Sequence, residues 1–143
     1  MTLTQVQDEI VEEFRMFDDW MDKYNYLIEL SKDLPVIDPK YKTSEYVISG
    51  CQSRVWLNAE LAGDRINFTA DSDAIITKGI IALLIRVLSD RTPEEILNAD
   101  LYFVDQIGLK ENLSPTRSNG LLSMIKQMKL YALAYDTKLK KST

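Results

Sequence analysis

Apolar residues recur at Val6, Ile10, Val11, Phe14 and Phe17, a spacing that keeps one face of a helix hydrophobic. Thr4-Gln5-Val6-Gln7 has capping-box spacing at the start of that helix. A second helix follows, capped by Asp18 or Asp19, with Met21, Tyr24, Leu27, Ile28, Leu30 and Leu34 on its apolar face and Pro35 as its stop. Together they predict a helical hairpin. Residues 35–44 contain a second proline, Pro39, and have no period, so they read as a loop leading into extended chain. Tyr46-Val47-Ile48 suits a short strand. From Arg54 the pattern alternates: Val55, Leu57, Ala59 and Leu61 point one way, and Arg54, Trp56, Asn58 and Glu60 the other. Ala62-Gly63-Asp64 supplies a turn, and Ile66, Phe68 and Ala70 mark the returning strand of an antiparallel hairpin.

Asp71-Ser72-Asp73 offers oxygen acceptors to the first free N–H groups of a helix starting near Ala74. Its body, Ile75–Leu88, is apolar nearly all round, which predicts a central helix packed on the sheet, with Gly79 marking a close helix–sheet approach. Thr92-Pro93-Glu94-Glu95 combines a cap, a proline at the first helical position and an acidic box residue. A brief helix is expected over 101–109, closed near Gly108, and then a connector at Leu113-Ser114-Pro115-Thr116. Leu121, Ile125, Met128, Ala132, Tyr135 and Leu139 trace one face of a long last helix ending among Lys138, Lys140 and Lys141. The order predicts an α+β fold: a small antiparallel sheet of about three strands packed against several helices. Without repeats, low-complexity stretches or linkers, residues 1–143 read as a single domain.

Composition narrows the function classes. Hydrophobic residues at 45% and charged residues at 27% describe an ordinary globular chain, not a disordered one. A net charge of -5 repels a phosphate backbone, so nucleic acid is not an expected partner. The longest apolar run, Gly79-Ile80-Ile81-Ala82-Leu83-Leu84-Ile85, stops well short of the ~20 residues that span a bilayer, and the acidic N-terminus does not read as a signal peptide. No membrane partner is expected, and the chain is placed in the cytoplasm. One cysteine and no histidine leave no internal disulfide, no thiolate cage for zinc or an iron–sulfur cluster and no imidazole base. Neither a metal nor a cofactor of the chain's own is expected.

The remaining nucleophile is Cys51. A lone cysteine is commonly a small buried hydrophobe. Here Gly50 precedes it, Gln52 and Ser53 follow, and the segment 49–53 lies between strands, which favours an exposed functional connection. A reactive thiol must ionise, and the groups available to favour the anion are Arg54, Lys78, Arg117 or backbone N–H groups. Asp71 and Asp73 are explained by helix capping with no further assumption, and Arg117, in the loop before the last helix, has an ordinary context. For Trp56, opposite Val55 and Leu57, core packing, a partner surface and shielding of the loop stay open.

Gly50-Cys51-Gln52-Ser53 with Val55-Trp56, then Asp71-Ser72-Asp73-Ala74 with Lys78-Gly79, then Leu113-Ser114-Pro115 with Arg117, Ser118 and Gly120, closely resemble the SufE family of sulfur acceptors. The resemblance covers nearly the whole chain. It implies a SufE/IscU-like fold, with Cys51 accepting persulfide sulfur from a cysteine desulfurase (SufS- or CsdA-like) that itself carries pyridoxal phosphate. It also implies stimulation of that desulfurase and delivery to an iron–sulfur scaffold complex (SufBCD-like). Arg117 resembles part of the desulfurase-facing surface, and Asp71, Asp73 and Lys78 fall on the family's middle motif, while Gly50, Gln52 and Ser53 support the cysteine. A single cysteine resembles the carrier branch, not the multi-cysteine scaffold branch. Position 54 is arginine where many relatives carry another polar residue. Two rival readings remain: a desulfurase-binding activator that carries no sulfur, and a thiol oxidoreductase, which lacks a resolving cysteine. A homodimer stays open beside the monomer.

Overall fold

Thr2 Oγ1 accepts from the Gln5 N–H (3.1 Å) and Gln5 Oε1 accepts from the Thr2 N–H (2.8 Å), so helix α1 (Leu3–Arg15) starts two residues before the expected box at Thr4. The same spacing occurs twice in register, and the earlier box adds helical turn. A computed structural model describes residues 1–141. Val6, Ile10, Val11 and Phe14 face the core as the period predicts. Helix α2 (Trp20–Leu30) is capped by Asp19, which accepts from the Asp22 N–H at 2.9 Å. It breaks into a 3-10 turn (Ser31–Asp33) before Pro35 is reached, where Ser31 Oγ bonds back to the Ile28 carbonyl. Within α2 only Leu27 is fully buried and Met21 is exposed, so its apolar face is narrower than predicted.

The sheet has two strands, β1 (Val55–Ala62) and β2 (Arg65–Ser72), antiparallel with Leu57 opposite Ala70 and Ala59 opposite Phe68. The third strand expected at Tyr46-Val47-Ile48 does not form. Tyr46 ends a 3-10 turn (Ser44–Tyr46), and Val47 makes one isolated bridge to Trp56 while the Ile48 N–H donates to the Val55 carbonyl at 2.8 Å. The 3-10 turn ends the ladder on the Tyr46 side, where the Leu57 carbonyl goes to Tyr131 instead, and Gly50, at φ +90, turns the chain on the other side. Both outer edges of the hairpin are covered. Ala70 bonds to Pro35 and Ile37, Ile66 bonds to Asp90 and Arg91, and the hydroxyls of Tyr131 and Tyr135 donate to the Leu57 and Ala59 carbonyls (3.2 and 2.8 Å). Side-chain caps on one edge and irregular chain on the other leave little for a foreign strand to pair with.

Helix α3 (Ile75–Leu88) buries eleven of its fourteen residues and is the core's central rod, with α2 on one side and β2 on another. Gly79 does mark a close approach, but to a helix: a Cβ there would stand 2.2 Å from the Leu27 carbonyl oxygen of α2. Helix α4 (Pro93–Asn98) has the predicted capping box between Thr92 and Glu95. The single brief helix expected next is two, α5 (Phe103–Gln106) and α6 (Leu109–Asn112), separated by Gly108 at φ +83. Helix α7 (Pro115–Lys141) begins at the proline itself, so the expected connector shrinks to Leu113 and Ser114, and Pro115 and Thr116 belong to the first turn. Its buried line runs Gly120, Leu121, Met124, Met128, Ala132.

Candidate functional site

Gly50 places Cys51 where β1 and the first turn of α7 meet. Besides its positive φ, a side chain at 50 would collide with Ser123 of α7, since a Cβ there would lie 2.5 Å from Ser123 Oγ. Cys51 is half-buried, and its thiol donates to the Gly120 carbonyl at 3.6 Å. A cavity of ≈ 70 Å³ opens beside the sulfur, lined by Gln52, Ser53, Thr77, Ile80, Arg117 and Met124 among others. Burial pushes the thiol's pKa up, and no neighbouring charge offsets it. The expected support for a thiolate is therefore not delivered in this conformation, and the sulfur is held as a neutral donor.

The other end of the loop is pinned by the β2–α3 junction. Asp73 Oδ1 accepts from the Arg54 N–H (3.1 Å), the Asp73 N–H donates to the Arg54 carbonyl (3.3 Å), and Ser72 Oγ donates to the same carbonyl (2.7 Å). Asp73 is thus a loop anchor and not the helix cap that sequence suggested. Ala74 occupies the cap position of α3 without a side-chain bond to the helix, and its own N–H goes to Ser72 Oγ at 3.2 Å. The reason is that β2 runs on through Ser72, opposite Val55, which turns the acidic residues toward the cysteine loop.

Asp71 is not a cap either. Its carboxylate bridges Lys42 (3.0 Å) and Lys78 (3.3 Å). Burial raises its pKa, but hydrogen bonds from Lys42, the Ser72 N–H and Lys78 outweigh that and hold it below its ordinary value. Lys42 Nζ also sits 4.8 Å from the centre of the Trp56 ring, a cation–π contact.

Of the residues singled out in sequence, Gln52, Ser53 and Arg117 come together with Cys51 around the cavity, Gly50 forms the turn, and Asp73 anchors the loop. Lys78 stands apart, committed to Asp71. Arg117 lies on the first turn of α7, not in a loop. Thr77, Ile80, Thr116 and Met124 line the cavity and were missed; the one signal was Thr77, an uncharged polar residue on a mostly apolar helix. Lys42 was also missed, because it comes from aperiodic chain. Among the described residues, no group of three or more Cys, Asp or Glu side chains converges to hold a metal, and no helix is long and apolar enough to cross a membrane.

Comparison with known proteins places this arrangement. Residues 8–132 match the family model described as SufE, Fe-S metabolism associated domain. An uncharacterised SufE-like protein of Rhizobium etli is 42% identical over 127 residues, covering 85% of this chain and 86% of that protein. The SufE-like protein 1, chloroplastic/mitochondrial, of Arabidopsis thaliana is 40% identical over 131 residues, covering 91% of this chain but 35% of that longer protein. The solution structure of a hypothetical protein from Thermus thermophilus superposes with a TM-score of 0.76 at 20% identity, covering 92% of this chain and 96% of that one, a likeness of fold alone. A domain match across most of the chain, at this identity to relatives of similar length, means that the chain belongs to the SufE family and its role lies in iron–sulfur metabolism.

Proposed function

We propose that Cys51 accepts sulfane sulfur from the cysteine persulfide of a pyridoxal-phosphate desulfurase, and that the chain carries it to an iron–sulfur scaffold. The observation that carries this reading is the pairing of the only cysteine with a cavity of ≈ 70 Å³ beside its sulfur. That volume is several times the ~10–15 Å³ that admits one water and leaves room for an added sulfur atom.

The exchange is balanced without an oxidant. The Cys51 thiolate attacks the outer sulfur of the desulfurase persulfide, one S–S bond forms as another breaks, and the desulfurase cysteine leaves as a thiolate with the bonding pair. The Cys51 proton goes to water or to a base on the partner, since this chain has no histidine. In the closed conformation burial keeps the thiol protonated, so docking must relieve that burial before attack. Taking the outer sulfur off the desulfurase cysteine frees that thiolate for another cycle, which stimulates turnover. In this reading the chain is a carrier and activator without a cofactor of its own.

The test is intact mass after incubation with a desulfurase and cysteine. Gain of one sulfur on the wild type, lost in Cys51→Ser, supports the carrier. Stimulated desulfurase turnover without any gain in mass identifies an activator that carries no sulfur.

A further inference from the structure

A cleft of ≈ 420 Å³ lies next to the cysteine loop, lined by Lys42, Thr43, Ser44, Val47, Arg54 and Trp56. Arg54 is exposed, and among the described residues no carboxylate lies within ion-pair distance of its guanidinium. Its backbone is nonetheless held at both N–H and carbonyl by Asp73 and Ser72. A free cation on an anchored backbone costs little ordering when it meets a partner. Lys42 stands between the Asp71 carboxylate and the Trp56 ring, and Asp71 is already shared with Lys78. Glu45, the only acidic residue between Lys42 and Trp56, does not line the cleft. The wall therefore offers the exposed Arg54 guanidinium, the Lys42 ammonium already bonded to Asp71, two hydroxyls, an indole and the partly exposed Val47, with the Asp73 carboxylate bonded to the Arg54 N–H.

We infer that this cleft seats an acidic segment of the desulfurase beside the persulfide-bearing cysteine. The inference rests on the carrier reading for the identity of the partner. Arg54 is three positions along the chain from Cys51, so their Cα atoms lie at most ~11 Å apart and one docked surface reaches both. The chain's net charge is -5, so an acidic partner is repelled by most of this surface and drawn to the uncommitted Arg54 guanidinium in the cleft. That difference orients the encounter as well as strengthening it. Nucleic acid would meet the same cleft, but two cations against an acidic chain release too few counterions to hold it.

The experiment measures desulfurase turnover against concentration of the full chain, for wild type, Arg54→Ala, Arg54→Glu and Lys42→Ala. Arg54→Glu is expected to raise the apparent KM for the chain by roughly tenfold or more with kcat little changed, and Arg54→Ala by less. The wild-type KM should rise with ionic strength, and the Arg54→Glu slope should be flatter. Loading of each variant from inorganic polysulfide, followed by intact mass, is the reference for the loss because it needs no docking. A KM unchanged in Arg54→Glu overturns the inference, as does a change in oligomeric state without a change in KM, which would assign the cleft to a second copy. A wild type that gains no sulfur from either donor defeats the carrier reading instead, while the KM comparison still decides the cleft.

Discussion

The Cys51 thiol donates to the Gly120 carbonyl, so this sulfur is tied, as a proton donor, to the first turns of α7. A Cβ on Gly120 would stand 3.6 Å from that sulfur, ordinary contact, so the glycine leaves room without being strictly required there. The contact and the burial act in the same direction on reactivity. Both favour the neutral thiol.

Alkylation should show this. Burial raises the Cys51 pKa, so the thiolate fraction at neutral pH falls below the few per cent of a free thiol. The rate of iodoacetamide modification of the folded chain should rise with pH through a midpoint above that of the same chain in denaturant. A folded midpoint at or below the unfolded one contradicts the closed arrangement.

Asp73→Ala removes the side-chain acceptor for the Arg54 N–H while leaving the Ser72 bond to the Arg54 carbonyl. The loop loses one of its anchors, so Cys51 should alkylate faster at fixed pH. Because Asp73 is exposed, the cost in global stability should be only about 0.5–1.5 kcal/mol by urea denaturation. Faster alkylation with a small stability loss separates loop release from unfolding. An unchanged rate would mean that the Ser72 hydroxyl and the residue-73 backbone N–H, both bonded to the Arg54 carbonyl, hold the loop without the carboxylate.

These contacts explain which parts of the site were legible in sequence. Period and capping chemistry located α1, α2, α3, α4 and the β1–β2 hairpin, because each depends on residues close in the chain. Cys51 was legible because the turn at Gly50 and its small polar neighbours mark a connection. Asp71 and Asp73 were misread as caps because local chemistry allows that, whereas the Val55–Ser72 register, a long-range pairing, turns them to Arg54, Lys42 and Lys78. Gly79 was read as a helix–sheet contact for the same reason: the residue type signals close approach, but not the element that approaches. The third strand failed because Tyr46, which would have paired next with Leu57, ends a 3-10 turn, and the Leu57 carbonyl is taken by the Tyr131 hydroxyl from a distant helix.

Gly79→Ala sets two effects against each other. Alanine is favoured over glycine in a helix interior by about 1 kcal/mol. Its methyl, however, would meet the Leu27 carbonyl at 2.2 Å, a backbone atom that cannot rotate aside, so α2 must shift from α3. Overpacking of this kind costs about 1–3 kcal/mol and should prevail. Urea denaturation should show net destabilisation, and an equally or more stable variant would refute the α2–α3 contact.

Asp71→Asn tests the bridge between the loop bearing Lys42 and the helix bearing Lys78. The folded-state pKa of Asp71 is depressed, so its contribution to stability is fully present above the unfolded value, ordinarily about 3.8, and is lost as pH falls through the lower folded value. Both lysines are partly exposed, at 36% and 38% of their side chains, which limits the contribution to about 1 kcal/mol at neutral pH. The wild type should therefore be more stable than Asp71→Asn at pH 7, and the difference should shrink toward zero as acid protonates the carboxyl. Salt should reduce it as well, since the pair is open to solvent. Trp56 supplies an independent readout, because loss of the carboxylate frees Lys42 from its position over the indole and should change the tryptophan emission. A stability difference that persists unchanged below the folded pKa would refute a charge origin, since asparagine keeps an Oδ1 that can accept from the Ser72 N–H.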